Sequence, residues 1–76
     1  MLATGRIDLV AWLSRYIYVI ELKLSNNGGI AAAEQQITTC GYTEPFKGDT
    51  RKVVGLAVEL DSEGKGLIDW KVVEEQ

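Results

Sequence analysis

Asp8, Glu21 and Lys23 are the residues of this sequence whose types and spacing can do chemistry. Two carboxylates brought to one place supply hard oxygen ligands, and the backbone carbonyl of Leu22 can add a third. Such a set suits Mg²⁺, which takes few protein ligands and keeps several waters. A cation held this way polarises a phosphate and activates water. A lysine beside it can position the nucleophile or stabilise charge developing on the phosphate. All three residues sit in strand-like apolar sequence, where a charge costs free energy unless it is paired or bound to a metal.

Whether they meet is a question of parity. Side chains on a strand alternate faces, so Glu21 and Lys23 share one face, and Asp8 shares another with Arg6, Val10 and Trp12. An antiparallel hairpin with an even turn centred between Ser14 and Arg15 pairs residues whose numbers sum to 29. Asp8 then opposes Glu21, Arg6 opposes Lys23, and Val10 opposes Val19. Cβ atoms of opposed residues lie about 4.5–5.5 Å apart. An odd turn would send Asp8 and Glu21 to opposite faces. Ser-Arg is a poor two-residue turn, which favours four residues. The structural alternative is a plain ion pair, Glu21 with Lys23 or Asp8 with Arg6, on a solvated sheet face.

The elements that must position these residues follow from the pattern. Arg6 to Leu13 alternates as a strand, and Tyr16 to Leu24 reads as a central strand buried on both faces. Ser25 to Gly29 is a loop whose Ser and Asn residues suit a helix cap. Ile30 to Cys40 reads as a helix with Ile30, Ala33, Ile37 and Cys40 on one stripe, stopped at Gly41. Tyr42 to Asp49 carries turn chemistry. Lys52 to Leu60 is a third strand. After the turn Asp61–Gly66 comes a fourth strand, Leu67 to Val73, with Ile68, Trp70 and Val72 on one face. The order strand-strand-helix-strand-strand predicts an α/β domain. Its sheet is mixed and four-stranded, and the helix is a crossover between parallel strands on one face. The other face has nothing in this sequence to cover it.

Composition narrows the function. The chain has 76 residues, a formal net charge of −3, one cysteine and no histidine. It makes one domain, with no internal disulfide, no Cys/His zinc site and no histidine catalysis. The lone thiol suits a reducing cytoplasm. No apolar run reaches membrane-spanning length. The acidic balance argues against a broad basic nucleic-acid surface. Gln36, one position off the helix stripe, either points towards Asp8 and Glu21 or is a half-exposed amide. Arg6 either contacts phosphate or pairs with an acid. Trp12 and Trp70 read as packing anchors, and Cys40 as a small hydrophobe facing the core.

Gly5-Arg6-Ile7-Asp8-Leu9-Val10 followed by Glu21-Leu22-Lys23 resembles the Asp…(Asp/Glu)-x-Lys signature of the PD-(D/E)XK nuclease superfamily. The segments Tyr16–Leu24, Ala33–Ile37, Gly41–Phe46 and Lys52–Val54 look like later parts of the nuclease-like domain that follows AAA-ATPase-like regions in bacterial proteins. The resemblance implies metal ligation by Asp8 and Glu21 with Leu22, a catalytic role for Lys23 and a supporting role for Gln36. It implies Mg²⁺ or Mn²⁺ as cofactor, DNA phosphodiester bonds as substrate, and an AAA-ATPase-like region in the same parent chain. The family core begins with a helix and a strand that this sequence lacks. Residues 1–76 are therefore expected to form a truncated restriction-endonuclease-like core, weak or inactive by itself, that dimerises through its open face or its first strand. The competing expectation is a non-catalytic interaction or regulatory module that keeps the nuclease fold.

Overall fold

The computed structural model describes residues 7–75. Their elements are β1 (Leu9–Trp12), β2 (Tyr16–Leu24), α1 (Gly29–Cys40), β3 (Lys52–Leu60) and β4 (Leu67–Glu75). Short 3-10 turns lie at Ser25–Asn27 and Glu44–Phe46. The strands form one mixed sheet in the order β1-β2-β3-β4. β1 pairs antiparallel with β2, β2 parallel with β3, and β3 antiparallel with β4. α1 makes the crossover between the parallel strands and packs on one face, as the pattern of elements predicts.

The hairpin at the start fixes the register. Leu9 pairs with Ile20, Val10 with Val19, Ala11 with Tyr18 and Trp12 with Ile17, each pair summing to 29. Leu13 N donates to Tyr16 O at 2.8 Å, so Ser14 and Arg15 form the tip of an even turn. α1 lays Ala33 and Ile37 against Ile17, Val19, Val53 and Ala57, and these side chains with Tyr42 make the core. Gly55 permits the close approach. A Cβ there would stand 3.2 Å from Ile37 Cγ2 and 3.3 Å from Thr43 Cγ2. Gly41, at φ 62°, ends the helix in the left-handed region that glycine adopts without strain.

Five expectations need correction. β1 is shorter than Arg6–Leu13, and Arg6, with its pairing to Lys23, lies outside the described residues. β2 is fully buried on one face only: Ile17, Val19 and Glu21 are buried, whereas Tyr18, Ile20 and Leu22 are half-buried and Tyr16 and Leu24 exposed. The reason is that α1 covers one side of the sheet. The Ser25–Asn27 turn contributes no side-chain cap to α1. Glu59 takes that role, accepting from Ile30 N through Oε1 at 3.0 Å. In β4 the alternation slips twice, so that Leu60 opposes Leu67, Val58 opposes Trp70, Leu56 opposes Val72 and Gly55 opposes Glu74. Val73, at the second slip, packs on the core. Neither tryptophan is a buried anchor. Trp12 is 55% and Trp70 58% exposed.

The face away from α1 is open. Leu9, Tyr16, Leu24, Leu67, Trp70 and Val72 are exposed on it or at its margin. Among the described residues no helix is long and apolar enough to cross a membrane.

Candidate active site

The site forms where β1 ends and β2 continues. The Leu13–Tyr16 hydrogen bond shows that the even residues of β2 turn their peptide groups towards β1. Leu22 extends this even series beyond the last ladder pair, Leu9 with Ile20, so its peptide groups face the side where β1 has run out. Asp8 fills that position with its side chain, and its Oδ2 accepts from Leu22 N at 2.9 Å. The bond aims the Asp8 carboxylate along the edge of β2, next to Glu21. The same parity leaves the Leu22 carbonyl on the Asp8 side of the strand.

Glu21 lies on the helix-covered face, aligned with Ala57 of β3. The small Ala57 side chain leaves room for it. Glu21 is 2% exposed. Lys23 Nζ stands 3.7 Å from Glu21 Oε2, an ion pair beyond good hydrogen-bonding length. The other oxygen, Oε1, is buried without a hydrogen-bond partner. Burial raises the Glu21 pKa above the usual carboxylate value. The negative charge of Asp8 and a hydrogen-bonding contact with it add to the rise, while Lys23 opposes it. Two carboxylates in contact, one with an orphaned oxygen in a dry position, require a proton or a cation between them.

Gln36 and Tyr42 stand behind this pair. Gln36 Nε2 donates to the Tyr42 hydroxyl at 2.8 Å. Among the described residues it makes no hydrogen bond to Asp8 or Glu21. Tyr42 is 3% exposed. Burial, and after it the nearby Glu21 charge, push the phenol pKa up, and the Gln36 bond partly offsets them. The phenol is therefore protonated at neutral pH. Gln36 is thus held towards the rear of the site through Tyr42.

The structure accordingly brings Asp8, Glu21 and Lys23 together and bonds Gln36 to Tyr42, whose phenol is near enough to feel the Glu21 charge. The Glu21–Lys23 ion pair of the structural alternative is also present, within the same cluster. Two residues of this region escaped sequence reasoning. Tyr42 follows the helix stop, where no periodicity relates it to Gln36. Glu59 is aligned with Lys23 across β2 and β3, and only the parallel register reveals it. Among the described residues no three His, Cys, Asp or Glu side chains gather as a metal cluster. The donor set is two carboxylates and one carbonyl, and the orphaned Glu21 Oε1 is the atom a cation would satisfy. This set fits a small, hard divalent ion that keeps most of its waters.

The family model of the PD-(D/E)XK nuclease superfamily matches residues 1–70. No curated protein and no solved structure matches the chain at a significant level. The match spans nearly the whole sequence, and the chain belongs to the PD-(D/E)XK nuclease superfamily.

Proposed function

From this membership we propose that the chain carries the metal-dependent nuclease site of a longer parent, in which it hydrolyses phosphodiester bonds of DNA, and that residues 1–76 alone are weak or inactive. The observation that carries the reading is the contact between Asp8 and the buried Glu21 with its unpartnered Oε1. Asp8, Glu21 and the Leu22 carbonyl would hold Mg²⁺ or Mn²⁺. The bound ion supplies charge stabilisation at the phosphate and a more acidic water. The chain's own residues do the rest. Lys23 presents an ammonium beside Glu21, where it can meet a phosphate oxygen as charge develops. The Asp8–Leu22 bond keeps the first carboxylate aimed, and Tyr42 fixes the Gln36 amide behind the second.

The same reading extends to a parent protein in which an AAA-ATPase-like region adjoins the domain, with activity expressed in that setting. A second reading, a non-catalytic interaction module, is favoured by one observation: the broad apolar face opposite the site. Plasmid nicking by the intact parent with Mg²⁺ or Mn²⁺ separates them. The nuclease reading expects metal-dependent nicks that disappear in Glu21→Gln and Lys23→Met. Nicking that persists equally in both variants would overturn it.

A further inference from the structure

We infer that Glu59 is a positioning residue for Lys23, the counter-charge that keeps the ammonium over the site once a divalent cation engages Asp8 and Glu21; this role rests on the nuclease reading above. Parallel pairing aligns Lys23 with Glu59, as it aligns Glu21 with Ala57 two residues earlier. Side chains two apart on a strand share a face. Lys23 and Glu59 therefore stand side by side on the helix-covered face, on strands about 4.8 Å apart.

Glu59 is held where it stands. Its Oε1 accepts from Ile30 N at 3.0 Å. Its carboxylate also lies against Gly29. A Cβ there would come within 2.8 Å of Cδ and Oε1 and 3.0 Å of Oε2. Gly29 has φ 59°, so only the residue without a side chain both makes this turn freely and leaves room for the carboxylate. The segment leading into the turn is pinned just beyond the end of β3. Asn26 N donates to Ser62 Oγ at 2.7 Å, and Ser62 N donates to Ser25 Oγ at 3.1 Å. A carboxylate fixed by helix, turn and loop is a rigid partner for a flexible lysine.

Lys23 needs such a partner. Its Nζ is 3.7 Å from Glu21 Oε2, and its side chain keeps 22% exposure. Among the described residues Glu21 is its one ion-pair partner. What draws Lys23 over the site is the charge of Glu21 with Asp8 beside it. A divalent cation cancels the charge of two carboxylates, and that pull disappears. Glu59 is then the carboxylate left next to Lys23. Asp69 is aligned with Glu59 on β4, one strand further away, and its Oδ1 accepts from Trp70 N at 2.8 Å. Glu34 of α1 is paired with Lys71 at 2.9 Å. Loading the site should therefore pass Lys23 from Glu21 to Glu59 without releasing it to solvent. Capping α1 asks only for an acceptor at Ile30 N, which an amide oxygen also supplies. Holding Lys23 asks for the charge.

The test compares wild type with Glu59→Gln, which keeps the volume and the acceptor and removes the charge. The readout is ¹³C relaxation of the Lys23 ε-methylene, which reports fast motion at the end of the side chain, first with a chelator and then with Mg²⁺. Wild-type Lys23 should be ordered in both conditions. Glu59→Gln should be folded by circular dichroism, ordered at Lys23 with chelator, and mobile there with Mg²⁺. In the intact parent the same variant should lower kcat for plasmid nicking by about 10–100-fold, as loss of a supporting partner commonly does, with KM unchanged. A Glu59→Gln protein whose Lys23 stays ordered with Mg²⁺ would overturn the proposal. So would a wild type whose Lys23 becomes mobile on adding Mg²⁺, an outcome that needs no variant to be seen. A wild-type parent that makes no metal-dependent nicks would overturn the nuclease reading instead, and the order of Lys23 would still decide what Glu59 does.

Discussion

Replacing Glu21 with glutamine should stabilise the metal-free protein at neutral pH while removing its metal affinity. Glu21 is buried, its Oε1 has no partner, and Asp8 presses a second carboxylate against it. A buried polar group left unsatisfied costs about 1–3 kcal/mol. Glutamine keeps the volume, removes the charge and can donate its amide to Asp8. The gain should therefore be about 1–3 kcal/mol, a Tm rise of at least about 4 °C for a domain of this size. The pH dependence gives the sharper signature. Burial raises the Glu21 pKa in the folded state, so the native protein binds a proton more tightly than the unfolded chain does. Stability from this group is fully present below the ordinary value of 4.5 and is lost as pH rises through the folded value. The difference between wild type and Glu21→Gln should be small in acid and grow towards neutrality. Thermal melts with a chelator present, at several pH values, measure it. A variant that is less stable than wild type by the same amount at every pH would refute the reasoning.

Lys23→Met should retain divalent-metal binding but lose nuclease activity by about 10²–10³-fold, the usual loss when one transition-state contact is removed; a metal titration run beside a nicking assay shows the split. Glu59→Ala removes the acceptor at the start of α1 and should cost about 0.5–2 kcal/mol in urea unfolding. Gly55→Ala forces a methyl against Ile37 and Thr43 and should cost about 1–3 kcal/mol in the same assay.

Much of this arrangement is legible in the sequence because β2 and β3 are dense β-branched runs and the first hairpin is short. With an even turn, simple parity sets Asp8 beside Glu21, and the observed register agrees. Gly41 marks the helix end, and the stripe through Ala33 and Ile37 marks its buried side. Legibility fails where contacts cross between elements. The helix cap comes from Glu59, 29 residues from Ile30, and not from the adjacent Ser and Asn residues. The slips in β4 follow from the fit between neighbouring strands, which alternation along one strand does not encode. Tyr42 reaches Gln36 only because the chain reverses after Gly41. Trp12 is more exposed than an aromatic in a strand suggests because β1 is an edge. There it meets Phe46 edge-on, with ring centroids 5.4 Å apart, and Arg51 lies 5.2 Å from its ring centre.

Calorimetric titration of Mn²⁺ into the wild-type protein and into Asp8→Asn with Glu21→Gln tests the central claim most directly. The account predicts one binding event per chain in the wild type and none in the double variant, with both proteins folded. Equal binding by the two proteins, or no binding by the wild type, would contradict it.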